Sequence, residues 1–241
     1  PVSITNLSHL NSLLLNLNYL TGSIPHNIGN LSNLQYLNLS NNQLWGSLPL
    51  SMGNLRRLIS CFIQDNRIHG SIPSSFGNLD SLKILDISKN KFEHVPKDVS
   101  MTSLIILFAH NNQLNFESLT VLNQSPSLAS ITFTNQVGFY NNRDTVNSIP
   151  GSTDTLAVRG AHAPGNQFQW YRNNTKIVGA TDSIYIIPYS SITDSGLYFV
   201  TVTNSNFSPM QLLREAISYH VGPYPLPVKL VNFNVNAHMG K

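Results

Sequence analysis

Residues 34–55 read LQYLNLSNNQLWGSLPLSMGNL, and residues 58–79 read LISCFIQDNRIHGSIPSSFGNL. Aligned on their first leucine, the two stretches share one frame. Leu34, Leu37, Leu39, Asn42, Leu44, Gly46, Leu48, Pro49, Met52, Gly53 and Leu55 answer to Leu58, Cys61, Ile63, Asn66, Ile68, Gly70, Ile72, Pro73, Phe76, Gly77 and Leu79. Leu10, Leu34, Leu58 and Leu82 follow one another at intervals of 24 residues. Self-similarity at a fixed period of this size belongs to a solenoid, in which each repeat is one coil and neighbouring coils bury a continuous core.

The residue types in the frame have physical reasons. The L-x-L pair sends two alternate side chains inward from a short strand. Stacked coils then predict a parallel sheet along a concave face, with irregular turns on the convex one. Asn18, Asn42, Asn66, Asn90 and Asn112 follow where the chain must turn. A buried amide there satisfies backbone groups of adjacent coils that would otherwise lack partners. Cys61 takes a leucine slot, which predicts a small buried hydrophobe rather than a nucleophile.

With its G-x-[IL]-P segment, this frame resembles the plant-type leucine-rich repeat across roughly residues 1–135. The resemblance implies an α/β solenoid with its parallel sheet on the concave face. Later copies degrade: Leu82 to Leu104 spans only 22 residues, and Lys91–Pro96 lacks the glycine. Leu104, Leu107 and Ala109 still fit, followed by Asn112 and Leu114, while Leu128, Ile131 and Phe133 mark a last strand. Atypical terminal repeats cap solenoids, so the end is expected near residue 140. Pro1 aligns with Pro25, Pro49 and Pro73, so the chain is expected to enter the solenoid in mid-repeat.

After residue 145 the period stops, and short alternating runs separated by Gly, Asn and Pro predict an all-β unit. Strands are expected at Phe168–Arg172, with a central Trp170, and at Ser183–Ile187. The run Asp194-Ser195-Gly196-Leu197-Tyr198-Phe199-Val200 resembles the D-x-G-x-Y-x-C corner of immunoglobulin domains, with Val200 at the cysteine position. The resemblance implies Tyr198 as corner tyrosine, Trp170 as core tryptophan and Val158 as partner of Val200 in place of the cystine. The expected organisation is a solenoid over 1–144, an immunoglobulin-like sandwich over 145–222, and a Pro-rich linker opening a further β segment over 223–241. The run Leu226-Pro227-Val228-Lys229-Leu230-Val231-Asn232-Phe233 resembles the opening of C-terminal segments in Bacteroidetes-type surface proteins exported by the type IX system.

Composition excludes several functions. Of 241 residues only 10% are charged, while thirty are asparagine, and the formal net charge is +3. The basic residues are scattered, Arg56-Arg57 being the densest pair, so no nucleic-acid interface is expected. No stretch approaches the roughly 18 apolar residues of a membrane helix, and no basic-then-apolar leader opens the chain. A single cysteine permits no internal disulfide. The eight histidines show no H-x-x-x-H or H-E-x-x-H spacing, so no metal or cofactor is expected. No nucleophile elbow, phosphate loop or paired-carboxylate motif appears, so the chain is expected to be no enzyme. Asp65 and Asp86 lie on neighbouring coils, close enough in the pattern to face each other, and read as two solvated carboxylates. Sequons occur at Asn6, Asn30, Asn38, Asn123, Asn173 and Asn206.

The informative positions are those flanking L-x-L on the concave face. Tyr36, Asn38, Phe62, Gln64, Asp65, Asp86, Phe108 and His110 form the candidate ligand site, with Trp45 in the following turn as competitor. Phe62 and Phe108 share a register, with Asp86 between them. Aromatic rings beside amides and a carboxylate suit a protein side chain or a sugar. The expected function is protein or glycan recognition, or adhesion, by part of a secreted or cell-surface protein. Alternatives are a plant-type receptor ectodomain, or an accessory region of a polysaccharide-degrading enzyme.

Overall fold

The computed structural model describes residues 2–97, 99–124, 126–133, 136, 144–158, 163–207 and 211–222. Six short strands, β1 (Ser12–Leu14), β3 (Tyr36–Asn38), β5 (Ser60–Phe62), β7 (Ile84–Asp86), β9 (Ile106–Phe108) and β10 (Ser130–Thr132), form one parallel sheet in that order. The register is unbroken: Leu13, Leu37, Cys61, Leu85, Leu107 and Ile131 stand side by side and point inward. A second parallel sheet follows the first around each coil, made of β2 (Thr21–Gly22), β4 (Gln43–Gly46), β6 (Arg67–Ser71) and β8 (Lys91–His94).

Between the two sheets runs the asparagine ladder. The Asn66 amide donates to the carbonyls of Leu39 at 3.0 Å, Ile63 at 3.1 Å and Gln64 at 3.3 Å. Its Oδ1 accepts from the backbone N–H of Leu44 at 2.9 Å. Asn42, Asn90 and Asn112 repeat this arrangement. One side chain thus partners the backbone of its own coil and of the coil before it, which pins the stack where no sheet bond reaches. In the last coil Gln136 takes the asparagine position, donating to Ala109 O at 2.8 Å and accepting from Leu114 N at 2.9 Å.

The convex side carries 3-10 turns at Ile28–Asn30, Leu50–Asn54 and Ser74–Asn78. The first packs on the second, and the second on the third, so closely that a Cβ on Gly29 would collide with the Ser51 carbonyl and one on Gly53 with that of Ser75. Past the degraded repeat, the helix α1 (Phe116–Asn123) takes over this side. Asn115 caps it, accepting from Ser118 N at 2.8 Å, and Phe116, Leu119 and Leu122 turn into the core.

The C-terminal unit is built of two sheets. One has five strands in the order β11 (Asp144–Ser148), β17 (Gln211–Val221), β16 (Gly196–Asn204), β13 (Asn166–Arg172) and β14 (Thr175–Lys176). All of its pairs are antiparallel except β11 with β17. The other pairs β12 (Asp154–Ala157) with β15 (Ile184–Ile187), antiparallel. Trp170, Tyr198, Val200 and Tyr219 are fully buried, with Leu156 and Ile187 from the small sheet beside them. Tyr185 lies 6.0 Å from both Trp170 and Tyr198, centroid to centroid. The Tyr198 hydroxyl donates to Asp194 O at 2.8 Å, tying the start of β16 to the turn before it. Val158, just past β12, and Val200 are both buried without a crosslink. The segment 223–241, including the run Leu226–Phe233, lies outside the described residues.

The two units share one core. Their buried apolar side chains form a single cluster, and Phe207 of the C-terminal unit stacks on Phe116 of α1.

Candidate functional site

The concave sheet presents two outward rows. The first runs Ser12, Tyr36, Ser60, Ile84, Ile106 and Ser130; the second runs Leu14, Asn38, Phe62, Asp86, Phe108 and Thr132. Each row follows from the strand period: the residues between the inward leucines must face away from the core. Phe62, Asp86 and Phe108 are therefore neighbours on successive strands, all half-buried. Tyr36 is 43% exposed in the first row and Asn38 half-buried in the second.

Asp86 and Asn38 are held alike. Asp86 Oδ1 accepts from Ser88 N at 3.0 Å and from Ser88 Oγ at 2.6 Å. Asn38 Oδ1 accepts from Ser40 N at 3.1 Å and Ser40 Oγ at 2.7 Å. Both side chains are thus fixed in direction before any partner arrives. The negative charge of Asp86 also acts on Cys61, whose thiol is pushed up to about 12, first by complete burial and then by that charge.

Beyond the strands, Gln64 and His110 continue the face. Gln64 Oε1 is buried without a hydrogen-bond partner, and His110 Nδ1 lies 3.2 Å from Thr132 Oγ1.

Asp65 corrects the sequence expectation. It sits in the left-handed region at φ 56°, in the same row as Asn41, Lys89 and Asn111, and belongs to the turn rather than the sheet. The strand neighbour of Asp86 in that coil is Phe62, so the two carboxylates do not face each other across the sheet. Trp45 lies on β4, opposite Arg67 of β6 and off the concave sheet, and is 55% exposed.

Sequence reasoning places Ile84 and Ile106 on this face but passes over Leu14 and Thr132. They occupy the same offsets as the named residues, so the period alone finds them. A shallow depression lined by Gln35, Arg57, Ile59, Asp80, Ser81 and Lys83 flanks the strands' N-terminal ends. Among the described residues no group of three or more His, Cys, Asp or Glu is placed to hold a metal ion. Among them, too, no helix is long and apolar enough to cross a membrane.

Comparison with known proteins agrees with this geometry. The leucine-rich-repeat family model matches residues 33–55 and 57–79. No curated protein matches the chain. Among solved structures, the ectodomain of the Arabidopsis thaliana receptor kinase GASSHO1/SCHENGEN3, in complex with CASPARIAN STRIP INTEGRITY FACTOR 2, is similar. It shares 29% identity at a TM-score of 0.53 over 63% of this chain and 20% of its own. The Arabidopsis receptor kinase HAESA ectodomain, in complex with an extended IDA peptide hormone, shares 27% at a TM-score of 0.50 over 62% and 24%. The chain therefore spans a quarter or less of either ectodomain. Its parallel-sheet part is a leucine-rich-repeat solenoid, similar in fold to the ectodomains of plant receptor kinases.

Proposed function

We propose that this chain is the extracellular, non-catalytic recognition part of a longer secreted or cell-surface protein, and that it captures a protein segment on its concave sheet. The observation that carries the reading is the row Phe62–Asp86–Phe108. Two phenyl rings held half in solvent on a rigid sheet bury apolar area on contact and lose little further entropy. The similar receptor ectodomains, one of them holding a peptide hormone, favour a peptide over a sugar. The C-terminal unit over 145–222 is, in this reading, an immunoglobulin-like sandwich that fixes the solenoid's end. Its support is the buried Trp170, the Tyr198 hydroxyl bond and the valine pair in place of a cystine.

The test is a random-peptide display screen run beside a glycan array, followed by Phe62→Ala, Phe108→Ala and Trp45→Ala against each hit. Peptide hits lost in both Phe variants and kept in Trp45→Ala support the proposal. Hits that depend on Trp45 alone overturn it. Sugar hits lost in the Phe variants keep the face and change the ligand class to polysaccharide.

A further inference from the structure

We infer that the concave site takes a cationic side chain from its partner, arginine before lysine, seated over Asp86 between the Phe62 and Phe108 rings. This rests on the concave-face reading and names the chemistry that the face recognises.

Asp86 is the only charged side chain in the six concave strands, all of which lie among the described residues. Its strand neighbours on both sides are phenylalanines. Adjacent strands lie about 4.8 Å apart, so the two rings stand on the order of 10 Å apart with the carboxylate midway. That gap accepts one flat group. A half-buried carboxylate flanked by phenyls has given up part of its hydration. Ser88 satisfies Oδ1 only, through its N–H and hydroxyl. A guanidinium offers paired N–H donors in one plane to a carboxylate, and its faces stack on aromatic rings. An ammonium pairs as a point charge and stacks less well. A sugar ring would use the phenyl faces and leave the charge unpaired.

The molecule contains its own control. Asn38 holds Ser40 as Asp86 holds Ser88, with matching distances. Asp86→Asn therefore keeps the local fold and removes only the charge.

The experiment uses the full chain and three capped pentapeptides, Gly-Gly-X-Gly-Gly with X arginine, lysine or citrulline, which copies arginine's shape without its charge. Binding is read from the ring resonances of Phe62 and Phe108. Saturable shifts of both rings are expected with the arginine peptide. The citrulline peptide should bind about tenfold or more weaker, and Asp86→Asn should weaken the arginine peptide about tenfold at unchanged melting temperature. The arginine affinity should fall as salt rises. Equal binding of citrulline and arginine, an Asp86→Asn variant that binds as wild type, or rings unmoved by any peptide each overturn the inference. In those cases display hits that depend on Phe62 and Phe108 but carry no basic residue still support the concave-face reading, so the two failures are distinguishable.

Discussion

Phe207 lies face to face on Phe116, with ring centroids 5.4 Å apart and planes 23° from parallel. Phe133 meets the same Phe207 ring edge-on at 5.2 Å. Phe207 ends the short 3-10 turn Ser205–Phe207 after β16, while Phe116 opens α1 and Phe133 follows the last concave strand. The C-terminal unit thus inserts one aromatic side chain, 5% exposed, against the end of the repeat stack.

Phe207→Ala should cost about 3–5 kcal/mol, as removal of a buried phenylalanine typically does. Because the core is continuous, calorimetry of the wild type should show one coupled transition. The variant should separate it into two and increase the radius of gyration measured by small-angle scattering. A variant with a single, unshifted transition would show that the joint contributes nothing.

Two glycines at the same repeat position should behave differently. A Cβ on Gly53 would collide with the Ser75 carbonyl oxygen, a backbone contact that no side-chain movement can relieve. On Gly77 the nearest atom would be Ser100 N at 3.5 Å. Gly53→Ala should therefore lose about 1–3 kcal/mol by overpacking. Gly77→Ala should stay within about 0.5 kcal/mol of wild type in urea unfolding.

Cys61 should be chemically silent in the native protein. It is fully buried, its thiol is pushed up to about 12, and the thiolate is the reactive form. A thiol reagent at pH 8 should label it only at the rate of local opening, and at once in denaturant. Cys61→Leu should fold, since Leu37 and Leu85 fill the same slot in the coils on either side. Because leucine adds volume to a filled slot, the expected cost is about 1–3 kcal/mol.

Asp154 should give the C-terminal unit an acid-sensitive joint. Its carboxylate is held below the ordinary range, first by the Ser148 hydroxyl, whose effect outweighs the opposing one of burial, and then by the hydroxyls of Tyr219, Ser152 and Ser190. Tyr219 OH donates to it at 2.7 Å and Ser152 Oγ at 2.8 Å. A carboxyl whose native pKa is depressed contributes stability that is complete above its unfolded value, near 3.9, and is lost as pH falls through the native value. The melting temperature should drop below about pH 4 in the wild type, and Asp154→Asn should flatten that part of the curve. Equal slopes in the two proteins would remove Asp154 from the account.

Much of the solenoid is legible in the chain because stacking is translational. The contact partner of a residue is the same position one coil away, so Leu37, Cys61 and Leu85 announce their neighbours through spacing alone. The ladder of Asn42, Asn66, Asn90 and Asn112 and the row Phe62–Asp86–Phe108 are readable for the same reason. Where the period fails, so does the reading. Gln136 performs the ladder's work one methylene longer, and α1 replaces a turn where the repeat shortens. Asp65 looks like a sheet residue until its left-handed backbone, shared with Asn41 and Lys89, assigns it to the turn. In the C-terminal unit the expected strands Phe168–Arg172 and Ser183–Ile187, found at Asn166–Arg172 and Ile184–Ile187, follow from alternation, which is local. The parallel pairing of β11 with β17, the hydroxyl cluster around Asp154 and the seat of Phe207 do not. Apart from Ser148 and Ser152, which lie near Asp154 in the chain, those contacts join residues dozens of positions apart with no repeating interval, and only chain packing in three dimensions selects them.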